Sequence, residues 1–399
     1  CASDRVVRNT TPGRLYHMSD TNQPEFKILE EAYGFDDVAI VPGAVTVNPD
    51  MTETDFKIGE HTFDIPVMAS AMDAVVSPSF ATKMHAIGGL GVLNLEGIYT
   101  RYDDPQVALQ EVLTASSEDS TEVLQRVYSK PIVEELIEKR IKAIKNRGAI
   151  CAASVTPQNT KRLAPIAVEA GVDILVVQST VTTARHVSRS YTGLIFSELV
   201  RDINIPIIVG NCVTKNAALE LMESGIDGLL VGVGPGAACT TREVVGVGMP
   251  QVSATIQCAA ARNEYMRLKG RYVSVITDGG VRTGGDLCKA IVSGADAVML
   301  GTPLALSEEA PGKGFNWGMA TPHAALPRGT RIHGGLRGTL DQILFGPTAF
   351  NDGTQNLIGA LKECMGMCGA LTIQDMHKAQ LIIAPSIKTE GKSFQASQR

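Results

Sequence analysis

One stretch of the chain combines a nucleophile with an unusually pliant backbone: Gly232-Val-Gly-Pro-Gly-Ala-Ala-Cys239-Thr-Thr-Arg242. A thiol attacks carbon once its thiolate is stabilised, and it needs an open setting to meet a substrate. Glycines at 232, 234 and 236 let the loop curl tightly and turn backbone groups toward a ligand. An arbitrary cysteine is a buried, inert small residue. Cys151 and Cys212 in strand-like runs, and Cys258 and Cys288 in helix-like ones, keep that reading. Cys239 does not, because Gly-Pro-Gly sets it just past an apolar run. Asp278-Gly279-Gly280 and Gly301-Thr302 also follow apolar runs. Glycines there let backbone N–H groups close on a phosphate, and a carboxylate suits a pair of hydroxyls. No His/Glu spacing supports a metal, and neither a serine elbow nor a Walker loop is present.

These groups need a scaffold that brings distant segments together. Eight short apolar runs recur at 65–72, 90–94, 150–156, 174–180, 205–212, 228–234, 274–280 and 297–303. Helical patterns separate most of them, and Gly171, Gly225 and Gly294 stand where helices should stop. Alternating strands and helices fit a doubly wound sheet or a barrel. The count of eight, and the lack of a G-x-G-x-x-G turn in the first unit, favour a TIM (β/α)8 barrel, with chemistry at the strands' C-terminal ends. Those ends read Ser70-Ala-Met-Asp73, Asn94, Ser154, Gln178-Ser179-Thr180, Asn211, Gly232, Asp278 and Gly301. Turn preferences alone explain about half of such small polar residues. The loops after strands 7 and 8 are the usual barrel phosphate site.

The organisation expected is an extension over 1–60, one barrel over 61–392 and a tail at 393–399. A helical insert occupies about 100–148, read as helices at 107–113 and 120–145, and a Gly/Pro-rich loop spans about 308–356. His85 and His186 fall in helical context. Composition narrows the partners. The charge of −6 excludes the basic excess of a nucleic-acid binder, and no apolar stretch is long enough for a membrane span. Scattered cysteines and the polar start suggest a cytoplasmic protein, or a plastid-stromal one had a transit peptide been removed.

The quoted motifs resemble the IMP dehydrogenase / GMP reductase family. So do Gly34-Phe-Asp-Asp-Val-Ala-Ile-Val-Pro42, Glu309-Ala-Pro-Gly312, and Asn356-Leu-Ile-Gly359 with Met365-Gly-Met-Cys-Gly369. The resemblance runs colinearly over about 30–392. It is nearest to the short dehydrogenase-related branch without paired CBS-type regulatory domains, whose insertion point falls near the helical insert. It implies that Cys239 attacks C2 of a purine nucleotide, with Thr241 assisting proton transfer. Asp278 would hold the ribose, and Gly279, Gly280, Gly301 and Thr302 the phosphate. Ser70, Met72, Gly318 and Met319 would position the base. Gln178, Ser179, Thr180, Asn211, Gly232 and Gly234 would line the cofactor side. It implies NAD as cofactor, IMP or GMP as substrate, and a homotetramer.

Four positions depart from the family pattern. Ala237 stands where a phosphate-binding serine is usual, and Gln178 where an aspartate is. No Arg-Tyr pair follows Thr321, so Arg328 or Arg331 is left to supply positive charge near the hydrolytic water. Glu390-Gly-Lys392 replaces Glu-Gly-Gly, so Lys392 would take or disfavour a monovalent-cation position formed by backbone at Gly234, Gly236 and Cys239. Three readings follow. The first is an NAD-dependent IMP dehydrogenase making XMP through a Cys239 thioimidate. The second is an NADPH-dependent GMP reductase on the same cysteine. The third is a catalytically idle nucleotide-binding barrel.

Overall fold

Strands with apolar residues at every position must be covered on both faces. The structure, a computed structural model describing residues 29–187, 193–318 and 330–385, meets that demand by closing the sheet on itself. The strands are β1 (Val67–Ala69), β2 (Leu90–Asn94), β3 (Ala152–Val155), β4 (Ile174–Gln178), β5 (Ile207–Cys212), β6 (Gly228–Val231), β7 (Ser274–Asp278) and β8 (Ala297–Leu300). All eight pair in parallel and in chain order, and Val298 opposite Val67 closes the ring. The chain is therefore a TIM (β/α)8 barrel, and each strand falls inside one of the eight runs.

Alternation along the strands divides the core. Met68, Val92, Ile174, Val176, Ile208, Leu230, Ile276 and Met299 point inward and fill the barrel. Val67, Leu93, Leu175, Val177, Val209, Leu229 and Val275 point outward to the helices. The N-terminal end is stoppered by a hairpin of strands Phe56–Ile58 and His61–Phe63. Its Phe56 and Phe63 rings stack at 5.1 Å, and Ser274 Oγ at the foot of β7 donates to Lys57 O at 2.6 Å.

The α-helices among the described residues are α1 (Pro78–Ala86), α2 (Pro105–Thr114), α3 (Ser120–Ser129), α4 (Glu134–Lys145), α5 (Pro157–Glu169), α6 (Phe196–Asp202), α7 (Lys215–Glu223), α8 (Thr241–Val245), α9 (Gln251–Lys269), α10 (Gly284–Val292), α11 (Thr302–Ala305), α12 (Leu340–Phe345), α13 (Leu357–Cys368) and α14 (Ile373–Met376). Local chemistry sets their starts. Ser77 caps α1 by accepting from Phe80 N at 3.1 Å with Pro78 behind it, and Thr283 caps α10 through Asp286 N at 3.3 Å.

Two segments differ from the sequence expectation. The helix expected over 120–145 is two helices, because Pro131 forces Lys130 into extended backbone (φ −61°, ψ 143°). Of the pair, α4 packs against α1 and α5 as the barrel's own helix, so only α2 and α3 are additional. The stretch 308–356 is not all loop: Phe315–Trp317 pairs with Arg331–His333, and α12 follows. Three-residue strands are too short to show a period in sequence.

The N-terminal face carries the chain's most buried ion pair among the described residues. Arg262 on α9 meets Asp296 at 2.9 Å, both about 3% exposed or less. Asp296 also accepts from Val275 N at 2.8 Å and from Tyr272 Oη at 2.5 Å. Removing one member strands the other charge, so Asp296→Asn should destabilise the fold by about 3 kcal/mol. Urea denaturation would show it as a lower midpoint, and a shift under about 0.5 kcal/mol would contradict this role.

Candidate active site

At the opposite face the strands' C-terminal ends open into one cleft of about 950 Å³. Its walls include Ser70 and Met72 after β1, Gln178, Ser179 and Thr180 after β4, and Asn211 on β5. They also include Gly232, Gly234, Gly236, Cys239 and Thr241 after β6. Asp278, Gly279 and Gly280 after β7, Gly301 and Thr302 after β8, and Gly318 complete the set. Met319, Arg328 and Lys392 lie outside the described residues.

Two turns pack backbone on backbone at its centre. A Cβ on Gly279 would stand 3.1 Å from Pro235 and 3.3 Å from Gly236 N, and Gly279 and Gly280 both adopt positive φ (86° and 81°). A side chain at either position would push the two loops apart. The cysteine loop turns on a bond from Cys239 N to Gly236 O at 3.0 Å. Arg242 secures its ends: the guanidinium donates to the carbonyls of Val233 and Met249, and Gly234 and Gly248 lie against its side chain. Cys239 is thereby exposed, with Sγ 3.2 Å from Thr241 Oγ1.

Asp278 reaches the same cleft from β7. Asn211 Nδ2 donates to its Oδ2 at 2.7 Å. Burial pushes the carboxyl up to about 6, against the lowering effect of that hydrogen bond. Asn211, grouped by resemblance with the cofactor side, is therefore also the residue that orients Asp278. Gly232 has no room for a side chain either, since a Cβ would stand 2.2 Å from Asp278 O. Gly301 sits against Met72 and Ser70, with a Cβ position 3.1 Å from Met72 Sδ and 3.5 Å from Ser70 Oγ.

Some residues singled out in the sequence lie elsewhere. Ser154 is fully buried, 3.3 Å from Gln178 Oε1, and Asn94 accepts from Glu96 N at 3.0 Å; neither lines the cleft. His186 belongs to the loop after β4, not a helix, and does line it. Arg331 points away from the thiol chemistry. Its guanidinium bonds the carbonyls of Val112, Leu113 and Ala115 at the C-terminal end of α2. A cation there satisfies helix-end acceptors, which physically explains why it cannot also serve a water in the cleft.

Other cleft residues had no motif of their own. Asn316 Nδ2 donates to Thr302 Oγ1 at 2.9 Å beside the glycine turn of β8. Arg337 lines the cleft while paired to Asp352 at 3.3 Å. Adjacency to Gly318 was the available signal for Asn316; Arg337 arrives only through the fold. Among the described residues, no group of three or more His, Cys, Asp or Glu side chains could hold a metal ion.

Asp278 also sets a pH dependence of stability. Its folded value near 6 lies above the unfolded carboxylate range near 4, so the native state holds the proton more tightly. That contribution to stability is present at low pH and lost as pH rises through about 6. Asp278→Asn should raise the melting temperature relative to the parent at pH 7.5 and not at about pH 3, below the unfolded carboxylate value. Equal differences at both pH values in a thermal-melt series would refute the assignment.

The comparisons with known proteins agree with this geometry. Residues 32–321 match the model of the IMP dehydrogenase / GMP reductase domain. An uncharacterized oxidoreductase of Mycolicibacterium smegmatis is 37% identical over 366 residues, covering 90% of this chain and 98% of its own. The inosine-5'-monophosphate dehydrogenase of Cryptosporidium parvum is 28% identical over 395 residues, covering 88% and 92%. The crystal structure of an IMP dehydrogenase/GMP reductase-like protein from Corynebacterium glutamicum superposes with a TM-score of 0.84 at 35% identity, covering 89% of this chain and 95% of that one. With its barrel, its cysteine loop and its Asp-Gly-Gly turn in one cleft, the chain belongs to the IMP dehydrogenase / GMP reductase family of oxidoreductases.

Proposed function

We propose that the protein is an NAD-dependent IMP dehydrogenase. The observation that carries this reading is the exposed Cys239 thiol in the same cleft as Asp278 and the glycine turns of β7 and β8. The family relation supports it, as does the dehydrogenase name of the Cryptosporidium parvum relative, matched along most of its length. The cleft's volume of about 950 Å³ exceeds what a mononucleotide needs and extends to Gln178, Ser179, Thr180 and His186. Those residues would hold the nicotinamide end of NAD, which when bound supplies the acceptor for a hydride.

In this mechanism the Cys239 thiol releases its proton to solvent by way of the Thr241 hydroxyl, and its sulfur bonds C2 of IMP. C2 gives up its hydride, leaving a thioimidate. Water adds at C2, the C2–S bond breaks, and XMP and the free thiol are released. Asp278 accepts from the ribose hydroxyls, backbone N–H groups at Gly280, Gly301 and Thr302 hold the phosphate, and Ser70, Met72 and Gly318 flank the base. Arg328 would favour hydroxide character in the attacking water. The family's square homotetramer and a reducing, cytoplasmic setting belong to this same reading.

The GMP reductase reading keeps one specific support: Pro235 with Thr240-Thr241-Arg242, together with the missing Arg-Tyr pair. One assay separates the two. Purified protein is given IMP with NAD, and separately GMP with NADPH, while the absorbance of the reduced nicotinamide is followed. Appearance with the first pair is expected; disappearance with the second would transfer the assignment to the reductase.

Cys239→Ser should cut turnover by at least about a hundredfold with the substrate still bound, and unchanged turnover would eliminate the covalent mechanism. Arg328→Ala should preserve a burst of one reduced nicotinamide per site and slow the steady state, whereas a full steady-state rate would remove Arg328 from the hydrolytic step. If Lys392 substitutes for a monovalent cation, turnover is insensitive to K⁺.

A further inference from the structure

A buried chain of hydrogen bonds runs from the cleft wall into the additional helices. On α3, Tyr128 Oη donates to Asp73 Oδ2 at 2.5 Å and accepts from Trp317 Nε1 at 2.9 Å. Ile98 N donates to the same carboxylate oxygen at 3.1 Å. Asp73, Tyr128 and Trp317 are 2%, 4% and 1% exposed. The two ends matter for the site. Asp73 immediately follows Met72, and Trp317 immediately precedes Gly318, and both of those neighbours line the cleft. One hydroxyl on the insert therefore joins two walls of the cleft that are remote in sequence.

The surroundings leave this bridge without a substitute. Ala74, Ile98, Leu109, Val112, Leu124 and Val127 enclose it in apolar side chains, where a polar contact is strong and its loss is not repaired by water. Asp73 Oδ1 has no hydrogen-bond partner among the described residues, and a Cβ at Gly97 would stand 2.2 Å from it. A second tie acts on the same hairpin: Arg331, opposite Trp317 in the strand pairing, bonds the terminal carbonyls of α2. Both strands of the hairpin are thus held by the insert.

We propose that Tyr128 is a positioning residue whose hydroxyl sets the spacing between residues 70–73 and Trp317-Gly318, so that the α2 and α3 insert presets the purine end of the cleft. The proposal rests on the functional reading above in one respect, that the ligand there is a purine nucleotide. Without the hydroxyl, the ligand-free protein spreads over arrangements in which the walls are displaced. A ligand then selects the competent fraction, so apparent affinity falls by that fraction while saturation restores the full rate. The signature is a raised KM with an unchanged kcat.

The chain has a single tryptophan, so its emission reports this bond directly. In Tyr128→Phe the ligand-free emission should shift, KM for the nucleotide should rise about tenfold, and kcat should stay within about twofold. Ala108→Gly is the structural control: it thins the same apolar cluster from α2 and removes no group named in the bridge or its enclosure, and should lower the melting temperature with KM unchanged. An unaltered KM in Tyr128→Phe, or an equal rise in Ala108→Gly, overturns the proposal. So does an emission spectrum that Tyr128→Phe leaves unchanged, whatever the protein turns over. If the parent acts on neither IMP nor GMP while the emission shift is present, the functional reading fails and the bridge stands.

Discussion

The contact between two glycine turns is the constraint on which the site depends. Pro235 and Gly236 lie so near Gly279 and Gly280 that an added Cβ would stand 3.1 to 3.3 Å away, on backbone of positive φ that side chains rarely adopt. Because the second turn ends β7 and the first follows β6, neighbouring strands of a closed barrel bring them together automatically. The contact fixes where Asp278 stands relative to Cys239. In the proposed reading, backbone N–H groups near these glycines would hold the anionic ligand on a chain of net charge −6.

The barrel divides labour between its two ends. At the N-terminal end, polar groups are matched and buried: Asp296 takes bonds from Arg262, Val275 and Tyr272, and the hairpin of Phe56 and Phe63 closes the floor. At the C-terminal end the groups are left poised. Asp278 is desolvated with a single side-chain partner among the described residues, and Cys239 is open to solvent. A carboxyl held near 6 is costly to the fold and useful to a ligand with hydroxyls to donate. The matched polar groups of the floor offset the desolvation of Asp278 at the mouth.

Much of this was legible in sequence for identifiable reasons. Each of the eight strands carries its own apolar run, so the barrel could be counted before it was seen. The cleft's central residues also carry local signals, since glycine beside a cysteine or an aspartate marks close backbone approach. What escaped was whatever depended on tertiary pairing. The hairpin strand Phe315–Trp317 is three residues long, and its partner is separated from it in sequence. Arg331 looked like a free cation because nothing local reveals that the end of α2 comes to meet it. Pro131, by contrast, is a local signal: it splits the charged, periodic run that surrounds it.

Pro131 changes what the insert is. Read as one charged connection, residues 120–145 look like a solvated surface. Divided at Pro131, α4 returns to the barrel's helical ring, and α2 with α3 forms a small core of its own around Tyr128 and Trp317. A satellite core on a barrel's catalytic rim costs ordering entropy and needs a compensating packing gain. Here that gain comes from side chains of β-rim loops, Ala74 and Trp317 among them, so the insert cannot loosen without loosening the loops that hold the cleft. The additional helices are therefore mechanically part of the site, although none of their residues lies in its central cluster.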